Sequence, residues 1–296
     1  HFEKMLYDNA QLISLYSEAY QYTPDPIYKD IVYESLSFVE RELTSAENGF
    51  YSALDADSEG VEGKFYTFTK DEIKVALKND ADLFCIYYQI IDDGNWEEER
   101  TNILMRHSED SELASRLGIS EKELTDKISE AKKIVLAFRA GRIRPGLDNK
   151  ILASWNGMML KAYTDAYRVF GEPDFLEKAK LSAAFIQKEL IVGNEIRRVY
   201  SSENSPDEWS GAFLDDYAFV IDGLIGLYEV SFDEGYLYKA KQLADYAISD
   251  FYDNESGMFF YTPETGEQLI ARKQEIMDNV IPSSNSVMAN NLYKLA

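Results

Sequence analysis

Apolar residues recur at helical spacing through most of this chain, with polar residues between them. Two of these stretches begin with a proline, at Pro26 and Pro173, and proline is typical of a first helical turn. The pattern predicts helices over residues 2–16, 25–39, 109–136, 151–170, 173–190, 214–230, 235–251 and 284–296.

Short aromatic segments with alternating apolar and polar residues separate the predicted helix pairs. Residues 49–53 and 63–69 are predicted to form the two strands of one hairpin, and residues 195–201 and 257–262 have a similar pattern. The recurring unit is a helix, a turn, a second helix and then an excursion with a small strand pair. Repeated helix pairs of this kind predict an all-α fold, either a solenoid or a toroid of helical hairpins.

The sequence is interpreted as one partial domain over residues 1–296, a piece of a longer protein, because both of its ends read as helix. Residues 92–150 differ from the rest, since they begin with a turn and are highly charged. We expect them to form a helical excursion that is exposed to solvent.

Composition narrows the possible classes of function. The chain has 53 Asp and Glu against 30 Lys and Arg, a net charge of −23 at pH 7, and 45% of its residues are hydrophobic. This is a globular composition, and its charge argues against binding nucleic acid or an anionic membrane surface, which both require clustered cations. No apolar run reaches the roughly 18 residues of a membrane span. The single cysteine, Cys85, fits a reducing, cytoplasmic compartment and is expected to be a buried, small apolar side chain.

Four carboxylates fall within the eight residues from Asp55 to Glu62, with Asp57 and Glu59 between these two, and they alternate with other residues in a predicted loop. An EF-hand is rejected because Tyr66 stands where the bidentate glutamate is required. Three interpretations remain: an exposed acidic hairpin tip, another kind of cation site, and a set of carboxylates that faces a sugar cleft. In the last case a carboxyl with a raised pKa could protonate a glycosidic oxygen.

Three helix starts carry further candidates. One carboxylate of the pair Asp215-Asp216 is expected to cap its helix, which leaves the other free to project toward a site. Trp155 and Asn156 suit sugar stacking and hydroxyl recognition, although the plainer interpretation of the tryptophan is a core residue, and the following Gly157 indicates close helix packing. Ser or Asn within residues 283–286 is expected to cap the last helix.

Histidines are scarce, since His1 and His107 are the only two. The motifs HExxH, GxGxxG, GxSxG and the Walker loop are absent from the sequence. Zinc hydrolases, Rossmann enzymes, P-loop enzymes and α/β-hydrolases are therefore disfavoured, and any chemistry is expected to rest on carboxylates, tyrosines and His1.

Taken in order, six motifs resemble the YyaL-like proteins, which include the mammalian spermatogenesis-associated thioredoxin-domain proteins. The motifs lie at residues 1–12, 49–66, 94–97, 145–157, 214–219 and 282–286, and Asn149 departs from the pattern because the family usually has an aspartate there. The resemblance implies a thioredoxin-like domain followed by an (α/α)6 toroid, similar to six-hairpin glycosidases and N-acylglucosamine 2-epimerases. This sequence contains no CxxC motif and would hold part of the toroid only.

The resulting hypothesis is a carbohydrate-active enzyme, similar to a glycoside hydrolase, that uses carboxylate acid/base chemistry at the toroid mouth on a small-molecule or oligosaccharide substrate. No metal and no cofactor are predicted. One alternative is a non-catalytic binding or scaffold module that partners a thioredoxin-like domain. Another is a sugar 2-epimerase, which would need a histidine pair. The predicted catalytic residues are Asp55, Asp57, Asp215, Asp216 and His1, and the predicted substrate-binding residues are Asp8, Tyr51, Glu59, Glu62, Tyr66, Trp155, Asn156, Ser284 and Asn285.

Overall fold

The chain divides into two units in a computed structural model that describes residues 2–200, 211–266 and 270–296. The large unit comprises Lys4–Leu54 and Leu147–Ala296, and the small unit comprises residues 2–3 and Asp55–Gly146.

The described part of the chain is mainly helical. The helices are α1 (Leu6–Tyr22), α2 (Pro26–Glu42), α3 (Lys70–Leu77), α4 (Ala81–Tyr87), α5 (Asp110–Leu117), α6 (Glu121–Ala140), α7 (Ala153–Phe170), α8 (Pro173–Phe185), α9 (Leu214–Ser231), α10 (Glu234–Phe251) and α11 (Ser284–Leu295). The strands are β1 (Lys4–Met5), β2 (Ala53–Leu54), β3 (Asp57–Ser58), β4 (Val61–Glu62), β5 (Leu147–Asp148), β6 (Ile151–Leu152), β7 (Ile191–Val192), β8 (Glu195–Ile196), β9 (Val199–Tyr200), β10 (Tyr252–Asp253) and β11 (Met258–Phe259).

The predicted long helices are confirmed, except that residues 109–136 lie in two helices, α5 and α6, separated at Gly118, and the starts of α2 and α11 are capped. Asp25 accepts a hydrogen bond from the backbone N–H of Ile27 at 2.9 Å, with Pro26 in the first turn of α2. Ser283 caps α11 by accepting a bond from the backbone N–H of Ser286. Helices α3 and α4 were not predicted, because each is short and α3 shows its start mainly through the capping box of Thr69 and Glu72.

Four helices of the large unit lie side by side in the order α1, α7, α9, α11, and we call them the inner helices. Helices α2, α8 and α10 each pack on the inner helix that precedes them in the chain. The two central helices, α7 and α9, contribute fully buried apolar side chains to the core, among them Met159, Tyr163, Ile221 and Leu224.

After each outer helix the chain returns to the start of its own inner helix, and we call these stretches the return segments. The first residue of α1, Leu6, donates its N–H to the carbonyl of Ser52 at 2.9 Å. Ala153 of α7 donates in the same way to Arg198 at 2.9 Å, and Leu214 of α9 donates to Tyr261 at 2.9 Å. These bonds satisfy N–H groups that a helix start leaves unpaired.

Side chains at the start of the next inner helix hold the return segments in place. Asn156 of α7 accepts from the N–H of Phe50 and donates to its carbonyl, at 2.8 and 3.0 Å. Asn285 of α11 makes the same pair of bonds to Phe259, at 2.8 and 2.9 Å. In α9 the hydroxyl of Tyr217 accepts from the N–H of Ile196 at 3.1 Å. Each helical hairpin is therefore bonded to the one that follows it.

The predicted hairpin of residues 49–53 with 63–69 is wrong. Ala53–Leu54 pairs instead with Lys4–Met5 on one side and Leu147–Asp148 on the other, in a three-stranded antiparallel sheet. The acidic segment closes its own small hairpin, in which Asp57 pairs with Glu62. Local alternation identifies a strand but does not identify its partner, and here the partners of Ala53–Leu54 are distant in sequence.

The small unit has its own core, which includes Phe68, Ile73, Phe84, Leu124 and Ile128. Cys85 is a free, buried thiol in this unit, as predicted. The predicted charged helices are present as α5 and α6, and their spaced apolar residues pack inward. The prediction of one partial toroid domain over residues 1–296, with an excursion at about 92–150, stays a prediction.

The crossing of α7 and α9 is the tightest feature of the large unit. A Cβ atom on Gly157 would lie 2.5 Å from the carbonyl carbon of Phe219, and one on Gly223 would lie 2.7 Å from the carbonyl oxygen of Gly157. No side chain fits between these backbones, so the two helices touch directly. The close packing that the sequence predicted at Gly157 is confirmed.

We expect Gly157→Ala to lower the free energy of unfolding by about 1–3 kcal/mol, because a methyl group at this crossing must push the two helices apart. Urea denaturation at neutral pH measures the change. Gly211→Ala is the matched control, since a Cβ atom there meets nothing within 4 Å. A neutral result for Gly157→Ala, or an equal loss in both variants, would contradict the close crossing.

Candidate functional site

The carboxylate of Asp216 lies at the start of α9 and is completely buried. Its Oδ2 accepts hydrogen bonds from the N–H of Phe213 at 3.0 Å and from Nη1 of Arg198 at 2.9 Å. Its Oδ1 accepts from the N–H of Ser154, in the first turn of α7, at 3.1 Å. Asp216 is thus the capping member of the predicted pair, and it joins two helix starts and a return segment.

The guanidinium of Arg198 is shared between the two aspartates. Its Nη1 lies 3.2 Å from Oδ1 of Asp215 and 2.9 Å from Oδ2 of Asp216. The guanidinium carbon also lies 4.5 Å from the centre of the Phe213 ring, in a cation–π contact. Because the backbone carbonyl of Arg198 is bonded to Ala153, this cation is fixed at both ends.

Asp215 is the other member of the pair, and its side chain is only 7% exposed. Its Oδ1 accepts from Arg198 and from the N–H of Asp216 at 3.0 Å, whereas no described residue donates to its Oδ2. Burial raises the pKa of the Asp215 carboxyl to about 7, and the charge of Asp216 adds to the rise while Arg198 opposes it. Burial raises the pKa of Asp216 as well, against the opposing effects of Arg198 and the two N–H donors, so the two carboxyls titrate as a pair in which the protonated form is favoured.

Two residues that the sequence interpretation missed complete the surroundings of Asp215. Tyr261 lies in the return segment after α10, where burial and the charge of Asp215 raise the pKa of its phenol. Glu275 is close enough for its charge to act on both Asp215 and Tyr261. Its Oε2 accepts a hydrogen bond from Ser284 Oγ at 3.2 Å, and its backbone carbonyl accepts one from Asn285 Nδ2 at 2.9 Å.

Several predicted residues lie in the first turns of the inner helices, namely Asp8 in α1, Trp155 in α7, Asp215 and Asp216 in α9, and Ser284 in α11. Tyr7, beside the predicted Asp8 in the first turn of α1, contacts the ring of Trp155 edge-on, with centroids 4.8 Å apart. Asp8 is exposed and Trp155 is half-buried. We call this collection the inner-helix site: Asp8, Trp155, Arg198, Asp215, Asp216, Tyr261, Glu275 and Ser284.

Other predicted binding residues of the large unit serve the backbone. The side chains of Asn156 and Asn285 bond the return segments, so their amides hold the fold around the site. Tyr51 is half-buried in the first return segment and packs against the core. Their predicted roles in substrate binding stay predictions.

The predicted acidic residues Asp55, Asp57, Glu59 and Glu62 belong to the small unit, and all four are exposed. Tyr66, in the same unit, is half-buried and stacks on Phe2 with centroids 6.3 Å apart. A cavity of about 560 Å³ lies beside the hairpin, and its lining includes Ser58, Glu59, Lys64, Glu72 and Arg142. The predicted meeting of the two acidic groups in one cleft stays a prediction, and His1 lies outside the described residues.

A second cavity, of about 410 Å³, lies along the inner helices and is lined by residues that include Gln11, Leu15, Lys161, Phe219 and Asp222. Within the described ranges, no group of three or more His, Cys, Asp or Glu side chains is placed to hold a metal ion. No helix in the described part of the chain has the length and apolar character needed to span a membrane.

The chain is similar in sequence to human spermatogenesis-associated protein 20, with 32% identity over 327 residues. The match covers 100% of this chain and 42% of the human protein, so the chain spans less than half of that relative. No protein-family model matches the chain.

Two solved structures with a similar fold are a sugar epimerase and a glycoside hydrolase. The cellobiose 2-epimerase of Bacillus thermoamylovorans matches 100% of this chain and 59% of its own, with 12% identity and a TM-score of 0.54. A family 76 glycoside hydrolase from a bovine Bacteroides thetaiotaomicron strain matches 100% of this chain and 44% of its own, also with 12% identity and a TM-score of 0.54. At this identity the likeness concerns the fold alone. It confirms the predicted class, an all-α fold of the six-hairpin toroid type.

The raised pKa of Asp215 predicts a specific dependence of stability on pH. The folded state holds the Asp215 proton up to about pH 7, whereas the unfolded chain releases it near 3.8, so this group's contribution is complete at low pH and is lost as pH rises from about 4 to 7. Asp215→Asn should remove this dependence, so the variant should gain stability relative to wild type across that range.

Chemical denaturation of both proteins at intervals between pH 4 and pH 8 measures the difference in unfolding free energy. Asp245→Asn is the control, because Asp245 is an exposed residue of α10 that pairs with Lys241. Its difference from wild type should stay within about 0.5 kcal/mol. A difference for Asp215→Asn that does not change with pH would show that Asp215 titrates normally.

Proposed function

We propose that the inner-helix site is part of a carbohydrate-active centre of the glycoside hydrolase type, in which Asp215 donates a proton to the glycosidic oxygen. The observation that carries the proposal is the burial of the Asp215 carboxyl together with its incomplete hydrogen bonding. This buried carboxyl has a pKa of about 7, and its Oδ2 receives no hydrogen bond from the described residues. Glycosidases require a carboxylic acid that keeps its proton near neutral pH.

The neighbours of Asp215 suit both stages of a proton transfer. Before transfer, burial and the negative charge of Asp216 favour the protonated form. After transfer, the new carboxylate is stabilised by Arg198 and by the N–H of Asp216, both of which already contact its Oδ1. The free-energy cost of the transfer is low, because the groups that donate hydrogen bonds to the Asp215 carboxylate are already in place and need not reorganise.

Aromatic side chains at the same helix ends support a sugar as the ligand. Tyr7 and Trp155 form an edge-to-face pair, and Tyr261 lies beside Asp215. Rings of this kind provide apolar surface next to polar groups, which is how small-molecule sites combine affinity with orientation. Asp8, in the first turn of α1, can accept a hydrogen bond from a hydroxyl group.

Hydrolysis is favoured over epimerisation. The epimerase interpretation requires a pair of histidines as acid and base, and the described residues contain one histidine, His107, which is exposed in the small unit. A carboxyl with a raised pKa needs no histidine partner to act as a proton donor. The similarity to an epimerase therefore supports a sugar-binding fold without supporting that reaction.

In the full-length protein we propose a thioredoxin-like domain in addition to the toroid. The human relative is much longer than the region that this chain matches, which is 42% of its length. The toroid would then supply the carbohydrate-active part, with the exposed acidic hairpin as a further substrate contact.

The test is to incubate the full-length protein with a panel of oligosaccharides and aryl glycosides and to measure both binding and release of reducing sugar. Asp215→Asn should keep binding and lower kcat by about 10²–10⁴-fold, because the leaving oxygen is no longer protonated. The wild-type rate should fall above about pH 7, as Asp215 loses its proton. Asp245→Asn should behave like wild type.

If sugars bind without turnover, the protein is a non-catalytic binding module and the hydrolase proposal is wrong. Failure of the whole panel to bind, with Asp215→Asn unchanged, would overturn the carbohydrate proposal and favour a scaffold for protein clients of the thioredoxin-like domain.

A further inference from the structure

The segment of residues 270–278 belongs to no helix or strand, yet it is held firmly against the return segment after α10. Lys273 accepts a hydrogen bond from the N–H of Tyr261 at 2.7 Å. Nε2 of Gln274 donates to Ser256 Oγ at 2.7 Å and to Oδ2 of Asp253 at 3.1 Å. Arg272 donates to the carbonyl of Thr262, and its guanidinium lies 4.2 Å from the centre of the Phe260 ring. An irregular segment with this many anchors presents its side chains in fixed positions.

Glu275 is the side chain that these anchors present at the inner-helix site. Its carbonyl is bound by Asn285, the same amide that holds Phe259, and Asp278 fixes the end of the segment by accepting from the N–H of Ser283 at 2.8 Å. Its Oε2 accepts from Ser284 Oγ, and no described Lys or Arg forms an ion pair with it.

Two backbone hydrogen bonds of Tyr261 connect the segment that carries Glu275 to the start of α9, where Asp215 lies. Tyr261 accepts from the N–H of Leu214, which directly precedes Asp215, and donates to Lys273, which stands two residues before Glu275. Asp215 and Glu275 therefore follow, by one and two residues, two backbone positions that are both bonded to Tyr261. The side chain of Asp215 is 7% exposed, and no described residue donates to its Oδ2.

From this arrangement we infer that Glu275 is the second catalytic carboxyl of the site, the base that activates water while Asp215 protonates the leaving oxygen. The inference rests on the proposed function. The water oxygen forms a bond to the anomeric carbon as the bond from that carbon to the glycosidic oxygen breaks. One water proton passes to Glu275, and the proton of Asp215 passes to the leaving oxygen, so charge and atoms balance. Ser284 holds one oxygen of Glu275 and leaves the other for the water.

The charges of the two carboxyls favour this division of roles. The negative charge of Glu275 helps to keep Asp215 protonated, and Arg198 lies on the aspartates and forms no ion pair with Glu275. Two carboxyls whose surroundings differ in this way can act as an acid and a base at the same pH.

The experiment compares Glu275→Gln with Asp215→Asn and with the control Asp245→Asn in the full-length protein, using an oligosaccharide or aryl glycoside that the wild type cleaves. Glu275→Gln should keep binding, lower kcat by about 10²–10⁴-fold and retain the fall in kcat above about pH 7 that Asp215 causes. Asp215→Asn should remove that alkaline fall. Asp245→Asn removes a negative charge from an exposed position of α10 and should keep both the rate and the alkaline fall.

A second readout measures the proximity of the two groups without a substrate. In carbon-13 NMR titrations, Glu275→Gln should lower the pKa of Asp215, whereas Asp245→Asn should leave it unchanged. Wild-type turnover that Asp215→Asn abolishes and Glu275→Gln preserves would overturn the role of Glu275 and leave the proposed function standing. Absence of turnover by the wild type would overturn the proposed function, and the role of Glu275 with it. An unchanged Asp215 pKa in Glu275→Gln would also overturn the pairing.

Discussion

The buried carboxylate of Asp216 is the group on which the inner-helix site depends. Removing a charge from water is expensive unless hydrogen bonds and an opposite charge compensate it, and Asp216 has two backbone N–H donors and Arg198. Arg198 is thereby committed mainly to Asp216 and only partly neutralises Asp215. Burial is the main cause of the raised pKa of Asp215, and the charge of Asp216 adds to it, because Arg198 opposes the rise only in part.

The site is also a product of the repeated architecture. Each return segment brings a carbonyl to the first N–H of its inner helix, at Ser52, Arg198 and Tyr261. Two of these three residues, Arg198 and Tyr261, carry the side chains that surround Asp215. The same bonds that cap the helices thus deliver a cation and a phenol to the helix ends, and the third site component, Glu275, is fixed through Asn285.

The sequence was informative where the signal is local. Helical spacing located the long helices, Gly157 indicated a close crossing, and Asp215-Asp216 was identified as a cap and a projecting carboxylate. The sequence did not show which of the two aspartates caps the helix, because that depends on contacts with Arg198 and Ser154, which are distant in sequence. The hairpin of residues 49–53 with 63–69 was wrong for the same reason, since strand partners are set by tertiary contacts. Glu275 gave no signal, because its segment has neither helical spacing nor alternation.

The bonds between successive hairpins have a consequence for how the large unit folds. Asn156, Tyr217 and Asn285 each bond the return segment of the preceding hairpin, so the stability of one hairpin includes a coupling to its neighbour. An array of this kind behaves as a one-dimensional chain with nearest-neighbour coupling, in which ordered units recruit the next one. Unfolding should accordingly be cooperative across hairpins, and a defect at one junction should spread along the array instead of remaining where it arises.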